Sequence, residues 1–412
     1  MPGLGFVEEY RRVYPVGATA CHVVGHVDTD NRGLAGIEKF IDDNPQLTMA
    51  GDEAVTLSLD LGVQHVLHEE LAAAIATYRA KAAAGIVIDV HSGEVVGMAS
   101  LPDYDPNRRE QALDKDRLNR INSGVYEMGS VFKVFTVASA LDARTVNLRS
   151  SYDASAPIHV ASFTIDDFHG KKRRLTVPEI FIYSSNIGAA KMALDLGGER
   201  QRAYLTKLGL LARARTELGD SASPIVPARW ENLTTMTIAF GHGLSVTPIQ
   251  LASAMMPLVN GGVAVPLTFL PRSREEGMSI GTRVLRRETS EAMLSLLRLN
   301  VLKGTGKRAE AEGYRVGGKT GTAEKVVGRH YSTSALLTTF LAAFPTDAPE
   351  YVVLVMLDEP QRVAASKNEA TAGVNAAPTA GRIIKRVASI LGVAPKLDDD
   401  KHKFDARLLA SY

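Results

Sequence analysis

Residues 130–143 read Ser-Val-Phe-Lys-Val-Phe-Thr-Val-Ala-Ser-Ala-Leu-Asp-Ala. Wound as a helix, this run is apolar on every side of Lys133, through Val131, Phe132, Val134, Phe135, Val137, Ala138 and Leu141. A helix that is hydrophobic all round is a buried one, so the run must pass through the interior of a domain. The chain can supply that interior. It has 412 residues, 45% hydrophobic and 23% charged, enough for one large domain or two to three modest ones. Its 47 Lys+Arg against 46 Asp+Glu leave a charge of +1, which argues against a nucleic-acid binder that neutralises phosphates. The same composition excludes global disorder.

The elements around this helix predict the architecture. Val63, Val66, Leu67, Leu71, Ala74, Ile75 and Tyr78 recur at helical spacing. A strand from Gly85, a turn His91-Ser-Gly-Glu94 and a strand from Val95 form the clearest hairpin. The middle of the chain is mostly helical, with capping boxes at Thr176-Val-Pro-Glu179 and Thr247-Pro-Ile-Gln250. The last third returns to strands: Tyr314 to Val316 leading into Lys319 to Ala323, then Leu336 to Phe344, then Tyr351 to Leu357. A final helix carries Ile383, Ile384, Val387, Ile390 and Leu391 on one stripe. Strands at both ends of a helical middle predict an α+β fold, with one antiparallel sheet built from the two ends and helices on its faces. The first fifty residues, rich in turns, read as a small module or arm packed on the main domain, and the charged tail from Lys396 as loosely held.

Three short motifs can carry chemistry. Ser130-Val-Phe-Lys133 puts a hydroxyl at a helix N-terminus, where free N–H groups and the macrodipole favour negative charge. Lys133 lies one turn on, along the same face. Desolvation disfavours its charged form, so a neutral amine can take the serine proton. The bland alternative is a helix cap and a snorkelling lysine. Ser184-Ser-Asn186 falls on a turn between two helices, suited to relaying a proton and holding an amide, although polar residues are also ordinary loop filler. Lys319-Thr-Gly321-Thr322 lies on a predicted strand, with Thr320 and Thr322 on one face and Lys319 on the other. Gly321 permits close approach of a ligand to the backbone, and a lysine beside two hydroxyls suits a carboxylate. An edge-strand lysine guarding against aggregation is the plainer reading. A second S-x-N, Ser366-Lys-Asn368, reads as solvated loop.

S-x-x-K, S-x-N and K-T-G in that order are the signature of penicillin-recognising serine acyltransferases. The chain resembles the class B penicillin-binding proteins, and among them the septal, FtsI-like peptidoglycan D,D-transpeptidases. The resemblance rests on Tyr126-Glu-Met-Gly-Ser-Val-Phe-Lys133, Gly241-His-Gly-Leu-Ser-Val-Thr-Pro-Ile-Gln-Leu251, Val316-Gly-Gly-Lys-Thr-Gly-Thr-Ala323 and Tyr351-Val-Val-Leu-Val-Met-Leu-Asp-Glu-Pro360. Met128 stands where many relatives carry proline. Arg11-Arg-Val-Tyr-Pro15, Gly25 and Gly36-Ile-Glu38 are similar to the end of the family's pedestal domain. The implied organisation is a pedestal remnant over 1–52, a transpeptidase domain over 53–395 and a tail over 396–412.

The resemblance implies a role for each motif residue. Ser130 is the nucleophile, Lys133 the general base, and Ser184, assisted by Lys319, the proton relay. Asn186 holds the donor's amide backbone, Thr320 and Thr322 the terminal carboxylate, and the N–H groups of Ser130 and Thr322 form the oxyanion hole. It further implies pentapeptide stems ending in D-Ala-D-Ala as substrate and β-lactams as covalent inhibitors. The implied partners are a SEDS-family glycosyltransferase and other divisome proteins. Family members sit on the periplasmic face of the bacterial inner membrane through a single-pass anchor. This chain shows no apolar run of the ~18 residues a bilayer crossing needs and no signal-peptide pattern, so it reads as a soluble piece excised from a longer protein. No cofactor and no nucleic-acid partner are expected.

Competing patterns are weaker. A class A β-lactamase needs a glutamate in an E-x-x-L-N setting between the second and third motifs, and Glu231-Asn232 lacks that spacing. A β-lactam sensor shares the motifs but needs a transmembrane signalling segment. Gly304-Thr-Gly306-Lys307 lacks the Ser/Thr of a phosphate loop, having Arg308 instead. Asp28, Asp30 and Gly33 suggest a calcium loop that Arg32 and Lys39 spoil. Cys21, the only cysteine, lies near His22 and His26 without a fourth ligand, so no metal is expected.

Overall fold

The computed structural model describes residues 9–47, 54–160, 163–328 and 330–396. Strands β1 (Ala82–Asp89) and β2 (Val95–Leu101) come from one end of the main domain. Strands β3 (Gly317–Val327), β4 (His330–Phe344) and β5 (Tyr351–Asp358) come from the other. They form one sheet in the order β3-β4-β5-β1-β2, with every neighbouring pair antiparallel. The two ends of the chain therefore join at β5 and β1, where Tyr351 stands opposite Asp89 and Asp358 opposite Ala82. Every residue of β1 and of β5 is buried. Their unbroken apolar sequences follow from having both faces covered.

The covering helices are α1 (Leu61–Tyr78), α2 (Lys133–Asp142), α3 (Val177–Tyr183), α4 (Asn186–Leu196), α5 (Pro248–Met255), α6 (Arg287–Lys303) and α7 (Ala376–Ile390). On one face Val63, Leu67 and Leu71 of α1 and Ile383, Ile384 and Val387 of α7 share a core with Val87, Val353 and Val355. The alternate strand residues Ile86, Ile88, Val352 and Leu354 point the other way. They meet Phe135 of α2, Leu251 and Met255 of α5 and Leu296 of α6. Enclosure of α2 is complete, with each residue from Lys133 to Leu141 buried. Both capping boxes form: the Glu179 carboxylate accepts from Thr176 N–H at 2.9 Å, and the Gln250 side-chain oxygen from Thr247 N–H at 2.9 Å.

Local differences from the sequence reading have physical causes. Tyr314 to Val316 is not a strand. Arg315 has φ +42°, which a continuing strand does not tolerate, and the Val316 carbonyl is taken by the Arg298 guanidinium at 2.8 Å. The β3–β4 hairpin is longer than expected, reaching Val327 and starting again at His330. On α7, Ile390 is exposed, its side chain lying near Gly62 at the start of α1. Ser366 is not solvated. It is fully buried in a 3₁₀ turn, its hydroxyl donating to the Glu369 carbonyl at 2.5 Å, while Lys367 and Asn368 are exposed.

The described N-terminal residues form two short helices, Cys21–Val24 and Gly36–Asp43, and a two-stranded ribbon of His26–Val27 with Gly33–Ala35. Arg12 pairs with the buried Glu38 at 2.7 Å. The module is fastened to the main domain by Gln64 Nε2 donating to the Thr19 carbonyl at 2.6 Å and by Asn107, which bonds both backbone groups of Tyr14 at 3.0 Å. The boundary expected at 52/53 and the tail beyond Lys396 lie outside the described residues.

Candidate active site

Three elements bring the motifs together. Ser130 sits in a 3₁₀ turn, Gly129–Phe132, that runs directly into α2. The helix thus begins at Lys133, three residues later than a simple reading of the apolar run places it. Ser130 is part-exposed, whereas Lys133 is fully buried. Lys133 Nζ lies 2.7 Å from Ser130 Oγ, 2.6 Å from Asn186 Oδ1 and 3.3 Å from Ser184 Oγ. The S-x-N turn joins α3 to α4. Ser184 closes α3 in a left-handed conformation, φ +59°, which carries its hydroxyl toward both lysines. Lys319 reaches from β3 and its Nζ donates to Ser184 Oγ at 2.9 Å.

The two ammonium groups have left water entirely. Desolvating an isolated charge in an apolar interior costs far more than releasing its proton at neutral pH, so such groups neutralise instead. Burial drives Lys133 well below the ordinary lysine value, the neighbouring Lys319 pushes it further, and Asp167 opposes both. Burial takes Lys319 from 10.5 to about 7. An uncharged Lys133 accepts a hydrogen bond from the Ser130 hydroxyl and can keep the proton, which is general-base geometry.

Close approach of β3 to the nucleophile depends on Gly321. A Cβ there would stand 2.4 Å from the Met128 carbonyl oxygen, so any side chain would push the strand away from the Ser130 turn. Alternation along β3 is as expected and has a consequence for the threonines. Thr320 faces away from Lys319, is buried, and shares a hydrogen bond with the Thr305 hydroxyl at 2.6 Å. That bond braces the strand against the exposed Thr305. Thr322 is part-exposed, and its oxygen accepts from Ala372 N–H at 3.0 Å. That leaves its own O–H proton free to donate.

Several supporting residues escaped the sequence reading. Asp167 receives bonds from Ser185 Oγ at 2.7 Å, Asn186 N–H at 2.5 Å and Ile187 N–H at 3.0 Å. It therefore caps the N-terminus of α4 with negative charge and fixes the S-x-N turn. Asn186 is held at both ends of its amide: its carbonyl oxygen accepts from Lys133 at 2.6 Å and its NH2 donates to the Asp166 carbonyl at 2.9 Å. Asn300, fully buried on α6, donates to the Gly318 carbonyl at 2.7 Å and accepts from Thr305 N–H at 3.1 Å. The stretch with a partial phosphate-loop pattern is thus a brace under K-T-G. Arg298 beside it bonds Glu310 and Val316. Met128 is a buried residue under β4, its sulfur 4.0 Å from Thr339 Oγ1. No spacing rule announces these contacts, because most of them join segments distant in sequence.

The model of the penicillin binding protein transpeptidase domain matches residues 83–385, which span the sheet and every motif just described. The chain belongs to the penicillin-binding protein transpeptidase family. Among curated proteins it is 45% identical to the probable peptidoglycan D,D-transpeptidase FtsI of Caulobacter vibrioides, over 97% of this chain and 69% of that one. It is 31% identical to the stage V sporulation protein D of Bacillus subtilis, over 98% and 68%. Among solved structures, penicillin-binding protein 3 of Mycobacterium tuberculosis complexed with aztreonam superposes with a TM-score of 0.81 at 26% identity, covering 94% of this chain and 91% of that one. The fold of this penicillin-binding protein domain is accordingly the mixed α+β transpeptidase fold. Among the described residues no helix is long and apolar enough to cross a membrane.

Proposed function

We propose that this chain is a serine-type peptidoglycan D,D-transpeptidase acting in septal cell-wall synthesis. The observation that carries the reading is the fully buried Lys133 amine 2.7 Å from the part-exposed Ser130 hydroxyl. The naming of its curated relatives supports the substrate class and the septal role.

Lys133 takes the Ser130 proton as Oγ attacks the carbonyl of the penultimate D-Ala. The new Oγ–C bond forms, the negative charge gathers on the carbonyl oxygen, and the N–H groups of Ser130 and Thr322 receive it. A Cβ on Gly129 would lie 2.6 Å from the Thr322 carbonyl oxygen, so the two backbones that must supply those donors are already in contact. The C–N bond then breaks. The proton passes from Lys133 through Ser184, which touches both lysines, to the departing D-Ala amine. Lys319 and the Thr322 hydroxyl hold the terminal carboxylate, and the second Asn186 amide proton holds the donor backbone. An amine of a neighbouring stem resolves the acyl-enzyme. β-Lactams follow the first half of the same course and stop there.

In this reading residues 1–52 are the end of a pedestal and 53–395 the catalytic unit, working outside the cytoplasm on a membrane-anchored protein. A SEDS-family glycosyltransferase supplies the glycan strands and other divisome proteins position it. Incubation with fluorescent penicillin, followed by mass spectrometry of the labelled peptide, tests the chemistry. A long-lived adduct on Ser130 that Ser130→Ala abolishes, with turnover of a D-Ala-D-Ala thioester, is the expected result. Rapid release of hydrolysed penicillin would assign a β-lactamase, and an adduct without thioester turnover a sensor.

A further inference from the structure

Beside the acylation machinery lies a second set of polar groups that it does not use. The loop Gly241-His-Gly243 rests on the nucleophile's own backbone. Gly241 has φ +88°, and a Cβ on it would stand 2.1 Å from the Gly129 carbonyl oxygen, so only glycine lets the loop reach this depth. His242 is thereby held next to the Ser130 turn. Its ring lies between Phe240 and Tyr331, with centroids 5.4 and 5.9 Å away. Lys133 Nζ sits 6.0 Å from the centroid of that same Phe240. Nδ1 of His242 is shielded and has no hydrogen-bond partner, while the residue as a whole is only part-buried.

Two carboxylates act on the ring. Glu127, three residues before the nucleophile, accepts from Gly243 N–H at 2.7 Å and from the Tyr331 hydroxyl at 3.1 Å. Glu324, on β3 just past K-T-G, acts electrostatically on both His242 and Tyr331. The groups facing His242 are thus Glu127, Glu324, Lys133 and Tyr331. Burial outweighs the two carboxylates, so the imidazole is neutral at physiological pH. A neutral base with two carboxylates near it has no task in acylation as proposed above, where Lys133 takes the proton. It has one in the second half-reaction, whose acceptor arrives as an ammonium ion.

We propose that His242, Glu127 and Glu324 form the acceptor-amine subsite, the carboxylates drawing in the ammonium group and His242 removing one of its protons. The inference rests on the transpeptidase reading. The ammonium gives one proton to His242, which becomes imidazolium. The freed nitrogen lone pair forms the new amide bond at the acyl carbon as the Oγ–C bond breaks. The second nitrogen proton returns through Lys133 to Ser130 Oγ, and His242 releases its proton to water.

The test separates the two half-reactions. With a thioester donor and D-alanine as the acceptor amine, the ratio of aminolysis to hydrolysis is measured for the parent and for His242→Gln, His242→Ala and Glu127→Gln. The expected loss in that ratio is on the order of 10²-fold for both His242 variants and roughly several-fold for Glu127→Gln, whose effect appears at low acceptor concentration and fades at high. The parent ratio declines as pH falls and His242 charges, a limb absent from both His242 variants. Penicillin acylation, which has no acceptor, reports the fold and the first half-reaction separately. An unchanged ratio in both His242 variants, or acylation falling in parallel with aminolysis in both, overturns the proposal. Failure of penicillin to label the parent protein would instead remove the transpeptidase reading beneath it.

Discussion

The helical wall and the strand wall of the cleft each contribute a lysine with no exposed surface, and the two are equipped differently. Lys133, from α2, is surrounded by the oxygens of Ser130, Ser184 and Asn186, with Asp167 behind the turn. Lys319, from β3, touches Ser184 and the Thr320 carbonyl. Burial sets the charge state of both. Neighbours distinguish them: one amine lies against the Ser130 hydroxyl, the other against Ser184 and the edge of β3. In the proposed function the same residue type at the same depth serves as base in one place and as electrostatic anchor in the other.

Removing each amine is the strongest way to break that contrast. Lys133→Ala is expected to slow covalent labelling by penicillin about 10³-fold or more, and Lys319→Ala on the order of 10²-fold. Equal losses in a titration of labelling rate against penicillin concentration would mean that the two amines share one task. The pH profile sharpens the point. Labelling rises with pH as Lys133 loses its proton, then declines above about 7 as Lys319 loses its own. In Lys319→Met the declining limb is absent, and persistence of that limb would assign it elsewhere.

Stability responds in the opposite sense to activity. Lys319 binds its proton with a value of about 7 when folded and 10.5 when not. Between these values the unfolded chain holds the extra proton, so this lysine's contribution to stability rises with pH and is least favourable below 7. Lys319→Met is therefore expected to raise stability, on the order of 1–3 kcal/mol, with the gain widest at and below pH 7 in melting curves across that range. The smallest effect separates the threonines. Thr320→Val should change labelling less than about threefold while costing about 1 kcal/mol of stability. Thr322→Val should raise the concentration of D-Ala-D-Ala substrate needed for half-maximal rate more than Thr320→Val does.

Periodicity made a large part of this structure legible. The all-round apolar run had to be enclosed, and α2 is. The hairpin at His91 and both capping boxes formed where their residues stood, because turn and cap chemistry is local. Alternation along β3 gave the correct faces for Lys319 and Thr320. It could not show that the Thr320 hydroxyl meets that of Thr305. The 3₁₀ turn that carries Ser130, the left-handed Arg315 that delays β3 and the burial of Ser366 all depended on what packs against them.

By itself, then, the sequence determined which groups exist and which elements carry them: Ser130 and Lys133 on one helical turn, Ser184 and Asn186 on the turn between two helices, Lys319 on a strand. Only the tertiary structure decided what those groups touch. Asp167 under the S-x-N turn, Asn300 under Gly318 and Glu127 against Tyr331 join segments separated by many residues. The physical reason is range: helix and strand propensities act over a few neighbouring residues, whereas the desolvation that tunes each amine comes from the whole enclosing core.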